Sequence, residues 1–109
     1  MEEHFVNYNQ ALALKELGFD EPCLMYIDDE EDLINDDTAE WIGTPKAPLK
    51  SQVFKWFREK YDLNHVIVKA ESWFYTINGC NTQEGFKTYE EAESECIDKL
   101  ISILKERKA

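Results

Sequence analysis

The stretch HVIVKAESWFYTI, residues 65–77, decides the fold class. Its two halves, His65–Ala70 and Trp73–Ile77, are rich in β-branched and aromatic residues, which favour strands. Only two residues separate them, a spacing typical of a hairpin between antiparallel strands. The residues that follow, Asn78–Gly85 (NGCNTQEG), have the composition of a turn-rich loop.

A long helix is predicted after this loop. Thr88 and Glu91 have the spacing of a capping box, in which side chain and backbone exchange hydrogen bonds at a helix start. We therefore expect a helix from Tyr89 to about Arg107. Its apolar residues recur at helical spacing and should supply much of the core. They are Tyr89, Ala92, Cys96, Ile97, Leu100, Ile101, Ile103 and Leu104.

Two further helices are predicted upstream. The first runs over about Tyr8–Leu17, with Asn7 as its N-cap and Gly18 ending it in a left-handed conformation. The second begins at Pro48, a favourable first helical residue, and continues to about Tyr61. Its outer side is expected to carry a small basic patch of Lys50, Lys55 and Arg58.

The remaining apolar pieces are short and predict strands. Cys23–Ile27 is one, and Glu40–Ile42 is a possible further one. The order α-β-(β)-α-β-β-α contains no long crossover. We therefore expect an α+β fold, with a small antiparallel sheet of 3–4 strands and about three helices packed on it. A chain of 109 residues is expected to form a single compact domain over 1–109.

The negative charge is concentrated in one segment. The net charge is −11, yet eleven acids and no Lys or Arg lie between Lys15 and Lys46, so the rest of the chain is balanced. The densest part, Ile27–Asp37 (IDDEEDLINDD), is interpreted as part of a solvated acidic loop over 28–40. Leu33 or Ile34 is expected to be its only anchor to the core.

Motifs for catalysis or metal binding are not recognisable. An EF-hand register starting at Asp28 puts Leu33 where a glycine is needed and Ala39 where a bidentate glutamate is needed. His4 and His65 are not close to a cysteine, as a zinc site would require. Glycine-rich phosphate-binding motifs are absent. We predict no catalytic, cofactor-binding or metal-binding residues and lean against an enzyme, leaving weak binding of divalent ions open.

Cysteine content and hydropathy predict a cytoplasmic protein without a membrane anchor. Cys23, Cys80 and Cys96 form an odd set with wide spacing, which favours reduced thiols. The start MEEHFVNYN lacks the basic and apolar parts of a secretory signal. Apolar runs fall short of the ~18 residues that cross a bilayer.

Three motifs carry a resemblance to a known family. They are YxxALxLKELGFDEPC at 8–23, APLxxQVFxWFREK at 47–60 and KTYEEAE at 87–93. The chain resembles a family of small uncharacterised proteins common in Bacteroidetes bacteria and their phages. The resemblance implies a bacterial or phage cytosolic protein and carries no activity with it. The acidic segment lies between the motifs.

The leading functional hypothesis is a small acidic, non-enzymatic protein-interaction module, such as a phage-derived accessory factor. Its partner is expected to be a protein, since the net negative charge opposes direct binding to nucleic acid. Exposed aromatic residues on an uncovered sheet face, or the acidic segment, would form the contact. The candidate contact residues are Asp29, Glu30, Glu31, Leu33, Ile34, Asp36, Trp73 and Tyr75.

Two alternatives stay open. The acidic segment 28–40 could imitate DNA and occupy a nucleic-acid-binding protein, because clustered carboxylates attract a basic surface at long range. The chain could instead be a small enzyme or ligand-binding protein with a site near the 78–85 loop. The sequence leaves the oligomeric state and the identity of the partner open.

Overall fold

The computed structural model describes residues 4–23, 25–35 and 44–108. The chain divides into two compact units, Met1–Lys50 and Ser51–Ala109. The described elements, in chain order, are α1 (Tyr8–Glu16), β1 (Met25–Ile27), β2 (Leu33–Asn35), α2 (Lys50–Tyr61), β3 (His65–Lys69), β4 (Trp73–Ile77), β5 (Cys80–Phe86) and α3 (Tyr89–Lys108). Whether the units form one domain stays a prediction.

The predicted α+β class is confirmed. The order of the described elements is α-β-β-α-β-β-β-α. The described strands form two antiparallel sheets, one of β1 and β2 and one in the order β3-β4-β5. The predicted strand at Glu40–Ile42 and the acid Asp36 lie outside the described residues.

Helix α1 begins and ends as predicted. Asn7 Oδ1 accepts the Gln10 N–H at 2.8 Å, and Gln10 Oε1 accepts the Asn7 N–H at 3.0 Å. At the other end Gly18 has φ +92°, which suits a residue without Cβ. The Phe19 N–H then donates to the Leu14 carbonyl at 2.9 Å, the bond of a Schellman motif.

Helix α2 begins at Lys50, two residues later than predicted. The preceding residues are extended: Leu49 forms a bridge with Phe5, and the Pro48 carbonyl accepts the Val6 N–H at 3.2 Å. This pairing uses the backbone that would otherwise form the first turn. Lys50 is only 7% exposed, so its predicted position on the solvent side of the helix is wrong.

In the second unit the predicted hairpin is confirmed, with β3 antiparallel to β4 and His65 opposite Ile77. The predicted loop 78–85 is wrong, because most of it is strand β5. Asn78 and Gly79, with φ +53° and +74°, form a two-residue turn between Ile77 and Cys80. Asn-Gly is the preferred pair for such a turn.

Helix α3 packs on the three-stranded sheet. It starts as predicted, since Thr88 Oγ1 accepts the Glu91 N–H at 3.1 Å. The apolar stripe is largely confirmed, but Ile103 is only half-buried and Tyr89 is exposed. The residues of this helix that form the core are Ala92, Cys96, Ile97, Leu100, Ile101 and Leu104.

Candidate functional site

One face of the three-stranded sheet exposes apolar side chains. Val66 and Val68 on β3 are 50% and 40% exposed. Val68 lies opposite Phe74, and Val66 lies opposite Thr76. Phe74 and Thr76 belong to β4 and are half-buried. Directly opposed residues share a face, so these four side chains form one surface. We call it the open face.

The opposite face belongs to the core. Tyr75 is 3% exposed and Ile77 is fully buried. Burial raises the pKa of the Tyr75 phenol to about 12. Trp73, two residues before Tyr75 and therefore on the same face, is half-buried with its ring edge-on to Tyr89 at 5.5 Å. The structure therefore places Tyr75 in the core, and Phe74 is the aromatic residue of β4 on the open face.

Val66, Val68 and Phe74 were not among the predicted contact residues. The signal was present, because Val66-Ile67-Val68 is apolar at every position. A strand with one solvated face normally alternates apolar and polar residues. An uninterrupted apolar run on a strand that helices cover on one side must expose part of that run.

The backbone of β3 has a free edge among the described residues. In the β3–β4 hairpin, the Asn78 N–H donates to Asn64 at 2.7 Å, and the Ala70 N–H donates to Ser72 at 3.0 Å. Bonded pairs alternate along an antiparallel ladder, so the even-numbered residues from 64 to 70 bond to β4. The N–H and C=O groups of His65, Ile67 and Lys69 therefore point away from β4.

The other edge of the sheet is built differently. Strand β5 carries two register shifts against β4, and Asn81 and Gly85 have φ +50° and +93°. Bulges and polar side chains are devices that discourage edge-to-edge pairing. Strand β3 has neither bulge nor proline and carries only Lys69 as a charged residue. The two edges therefore differ in their capacity to accept a further strand.

The acidic segment is an ordered hairpin in its described part. Leu33–Asn35, predicted as loop, forms β2 and pairs with β1, with Ile27 opposite Leu33. Asp28 Oδ1 accepts the N–H groups of Glu30 and Asp32, both at 2.9 Å. The Asp28 side chain thus accepts hydrogen bonds from two backbone amides of the turn that follows it.

Glu31 is a structural residue of this hairpin. The Asp28 N–H donates to the Asp32 carbonyl at 3.0 Å, which leaves a three-residue loop that Glu31 closes with φ +67°, a left-handed conformation. The Glu31 carboxylate accepts the N–H of Tyr8 at the start of α1, at 3.1 Å from Oε2. Negative charge at a helix N-terminus is favourable. The prediction that Leu33 or Ile34 is the only anchor of the segment is therefore wrong.

The other predicted contact residues of the hairpin differ in exposure. Asp29 and Glu30 are exposed at the tip, whereas Leu33 and Ile34 are half-buried in β2. Asp29 and Glu30 are thus a pair of like charges on the surface, whereas Leu33 and Ile34 pair with Ile27 and Tyr26 of β1. A role of any of these residues in partner binding stays a prediction.

A cavity of about 140 Å³ lies in the first unit. Ala11, Leu14 and Phe19 provide an apolar lining, and Lys46 and Asp20 lie at its polar side. Lys46 Nζ already donates to Asp20 Oδ1 at 3.0 Å and to a backbone carbonyl. A space of this size accommodates one small ring. The Lys46 and Asp20 side chains are thus paired with each other without a ligand.

The structure places His65 and Cys80 in one row of the sheet but not in contact. His65 lies opposite Ile77, and Ile77 lies opposite Cys80. Two strand spacings separate their backbones by about 10 Å. The ring of His65 stacks on Phe54 at 3.6 Å, and burial, with Arg58 nearby, lowers the pKa of the imidazole. The arrangement does not form a cysteine–histidine pair.

Two further kinds of site are absent from the described ranges. Residues 4–23, 25–35 and 44–108 contain no group of three or more His, Cys, Asp or Glu side chains arranged to hold a metal ion. Their helices include none with the length and hydropathy needed to span a membrane. No protein-family model, curated protein or solved structure matches the chain.

Proposed function

We propose that this protein is a non-enzymatic interaction module that binds another protein through the open face. The observation that carries the proposal is the exposure of Val66 and Val68, at 50% and 40%, on adjacent outward positions of one strand. With Phe74 beside them they form a contiguous apolar surface. Apolar clusters of this kind on small domains are typical of contact sites.

The charge distribution supports a protein partner with an apolar or mixed surface. The unit that contains the open face has ten acids and nine bases, and the first unit has thirteen acids and three bases. Long-range repulsion by the first unit disfavours polyanions such as nucleic acids. A bacterial or phage accessory factor acting in the cytosol, as the resemblance implies, fits this proposal.

The test is affinity capture with three forms of the protein. The wild type is compared with the double variant Val66→Lys/Val68→Lys, which places charges on the open face. The matched control is Asp29→Asn/Glu30→Gln, which changes the exposed tip of the acidic hairpin and leaves the sheet intact. Thermal melts establish that all three forms are folded.

We expect a partner protein that is captured by the wild type and by Asp29→Asn/Glu30→Gln, but not by Val66→Lys/Val68→Lys. Direct titration with the purified partner then measures the loss of affinity. Retention of every partner by Val66→Lys/Val68→Lys would overturn the proposal.

The second candidate function is the polyanion mimic. A mimic needs charges at fixed positions, and the bonds of Asp28 and Glu31 hold the hairpin tip in one conformation. It predicts the reverse capture result: a basic, nucleic-acid-binding partner lost from Asp29→Asn/Glu30→Gln and kept by the open-face variant. Competition by DNA for that partner would support it.

A further inference from the structure

We infer that β3 pairs antiparallel with β3 of a second copy of this chain, about a twofold axis at Ile67. The inference concerns the edge of the strand, whereas the proposed partner binding concerns its face, so each can fail alone. The starting observation is the alternation of hydrogen bonds in the β3–β4 hairpin, which leaves the N–H and C=O groups of His65, Ile67 and Lys69 directed away from β4.

These free groups are complementary to themselves. With Ile67 opposite the second Ile67, His65 of each copy lies opposite Lys69 of the other. All three residues then exchange N–H and C=O with their counterparts, as in a hydrogen-bonded antiparallel pair. A register shifted by one residue would bring groups that already bond to β4 against free groups and lose these bonds.

The side chains agree with this register. Val66 of one copy lies opposite Val68 of the other, in the positions between the bonded pairs where side chains approach most closely. Both valines are exposed in the single chain, so pairing removes apolar surface from water. The two open faces become one continuous surface across six strands of the joined sheets.

Charge permits the pairing at this edge. The second unit is nearly balanced, with ten acids against nine bases, whereas contact through the first unit would bring two strongly acidic surfaces together. In this register Lys69 lies opposite His65, and burial, with the charge of Arg58, lowers the pKa of that imidazole, so the neutral form is favoured. The bulged, polar strand β5 offers no equivalent edge.

The expected dimer is weak. Two paired five-residue strands bury less surface than about 1,200 Å², the lower end of the range for stable interfaces. Association should therefore depend on protein concentration, with a Kd towards about 1 mM, the weak end of the affinity scale.

The first experiment uses the unaltered chain and measures amide hydrogen exchange by NMR at low and high protein concentration. The amides of His65, Ile67 and Lys69 should exchange fast in dilute solution and become protected as concentration rises. Those of Val66 and Val68 should be protected throughout, because they bond to β4. Concentration-dependent protection at other strands, or none at these three amides, would overturn the inference.

The second experiment compares Lys69→Pro with Lys69→Ala in sedimentation velocity. Proline removes an outward N–H that the β3–β4 ladder does not use, whereas alanine keeps it. The dimer should be lost in Lys69→Pro and kept in Lys69→Ala. Equal dimerisation of both variants, or a wild type that stays monomeric to about 1 mM, would disprove the pairing and leave the capture test of the open face untouched.

Discussion

The carboxylate of Glu31 accepts the backbone N–H of Tyr8, at 3.1 Å from Oε2 and 3.3 Å from Oε1, across 23 positions of sequence. This contact connects the tip of the acidic hairpin to the first turn of α1. It gives a reason for a glutamate at a position with φ +67°, where the hairpin loop needs a left-handed backbone that a glycine would adopt at lower cost. Glu31 of the acidic segment thus has a structural role.

Removing this contact should destabilise the protein slightly. Glu31→Ala loses the acceptor and the favourable charge at the helix start, for about 0.5–1 kcal/mol in the free energy of unfolding. Glu31→Gln keeps an acceptor and should lose less. Urea denaturation at low and high salt separates the two effects, since salt screens only the charge. Equal stability of wild type and Glu31→Ala would show that the bond contributes nothing in solution.

Neutralising the exposed tip of the acidic hairpin should have the opposite effect on the free energy of unfolding. Asp29→Asn/Glu30→Gln removes repulsion among neighbouring acids and should leave stability unchanged or slightly higher, with a gain that shrinks as salt rises. Asp28→Ala is the contrasting variant, because it deletes the oxygen that accepts two turn amides and should cost about 1 kcal/mol. Melting curves of the two variants should therefore move apart, and a large loss in the first would reveal an ordering role for these acids.

The Asn-Gly turn offers a separable test of backbone and side-chain effects. Asn78 Oδ1 accepts the Asn64 N–H at 2.8 Å, and Asn78 Nδ2 donates to the Asp62 carbonyl at 3.1 Å. Asn78→Gly keeps the left-handed backbone and loses these bonds, whereas Gly79→Ala keeps the bonds and strains a residue at φ +74° with open space around it. Each should cost about 1–2 kcal/mol in chemical denaturation. A neutral Asn78→Gly would assign the whole preference to backbone conformation.

The loss of stability on truncating an apolar side chain of α3 should follow how deeply that side chain is buried. Leu100 is fully buried, so Leu100→Ala should cost about 2–5 kcal/mol through lost contacts and a cavity. Ile103 lies on the same helix and is half-buried, so Ile103→Ala is the control and should cost clearly less. Urea melts of both variants measure the difference. Similar losses would mean that the two side chains are equally buried in solution.

His65 should make stability depend on pH near neutrality. Burial, and secondarily Arg58, lowers its pKa from the ordinary 6.5, so the unfolded chain binds the proton more readily. The neutral imidazole therefore contributes stability above pH 6.5 that is lost as pH falls through 6.5 towards the folded value. Subtracting the unfolding free energies of His65→Asn from those of the wild type removes the shared carboxylate contribution. The difference should narrow from pH 7 to pH 5, and a constant difference would contradict the shift.

Local signals predicted much of this protein. The caps at Asn7 and Thr88, the left-handed stop at Gly18 and the strand pair around Glu71 and Ser72 follow from a few adjacent residues, because the groups that satisfy one another are close in sequence. The α+β class follows from the order of these elements. Strand β5 was also predictable, since Asn78-Gly79 is a turn signal that the polar composition of the segment obscured.

Tertiary structure decided what adjacent residues could not. Pairing of Pro48 and Leu49 with the chain near Phe5 delays the start of α2. The contact of Glu31 with Tyr8 connects the tip of the acidic hairpin to α1, although the charges of the tip alone favour an extended loop. The exposure of Val66 and Val68 follows from which side of the sheet α3 covers, and a strand that is apolar on both sides does not encode that choice in its own sequence. Composition and local propensity determined the elements, and contacts between residues far apart in sequence determined which surface faces water.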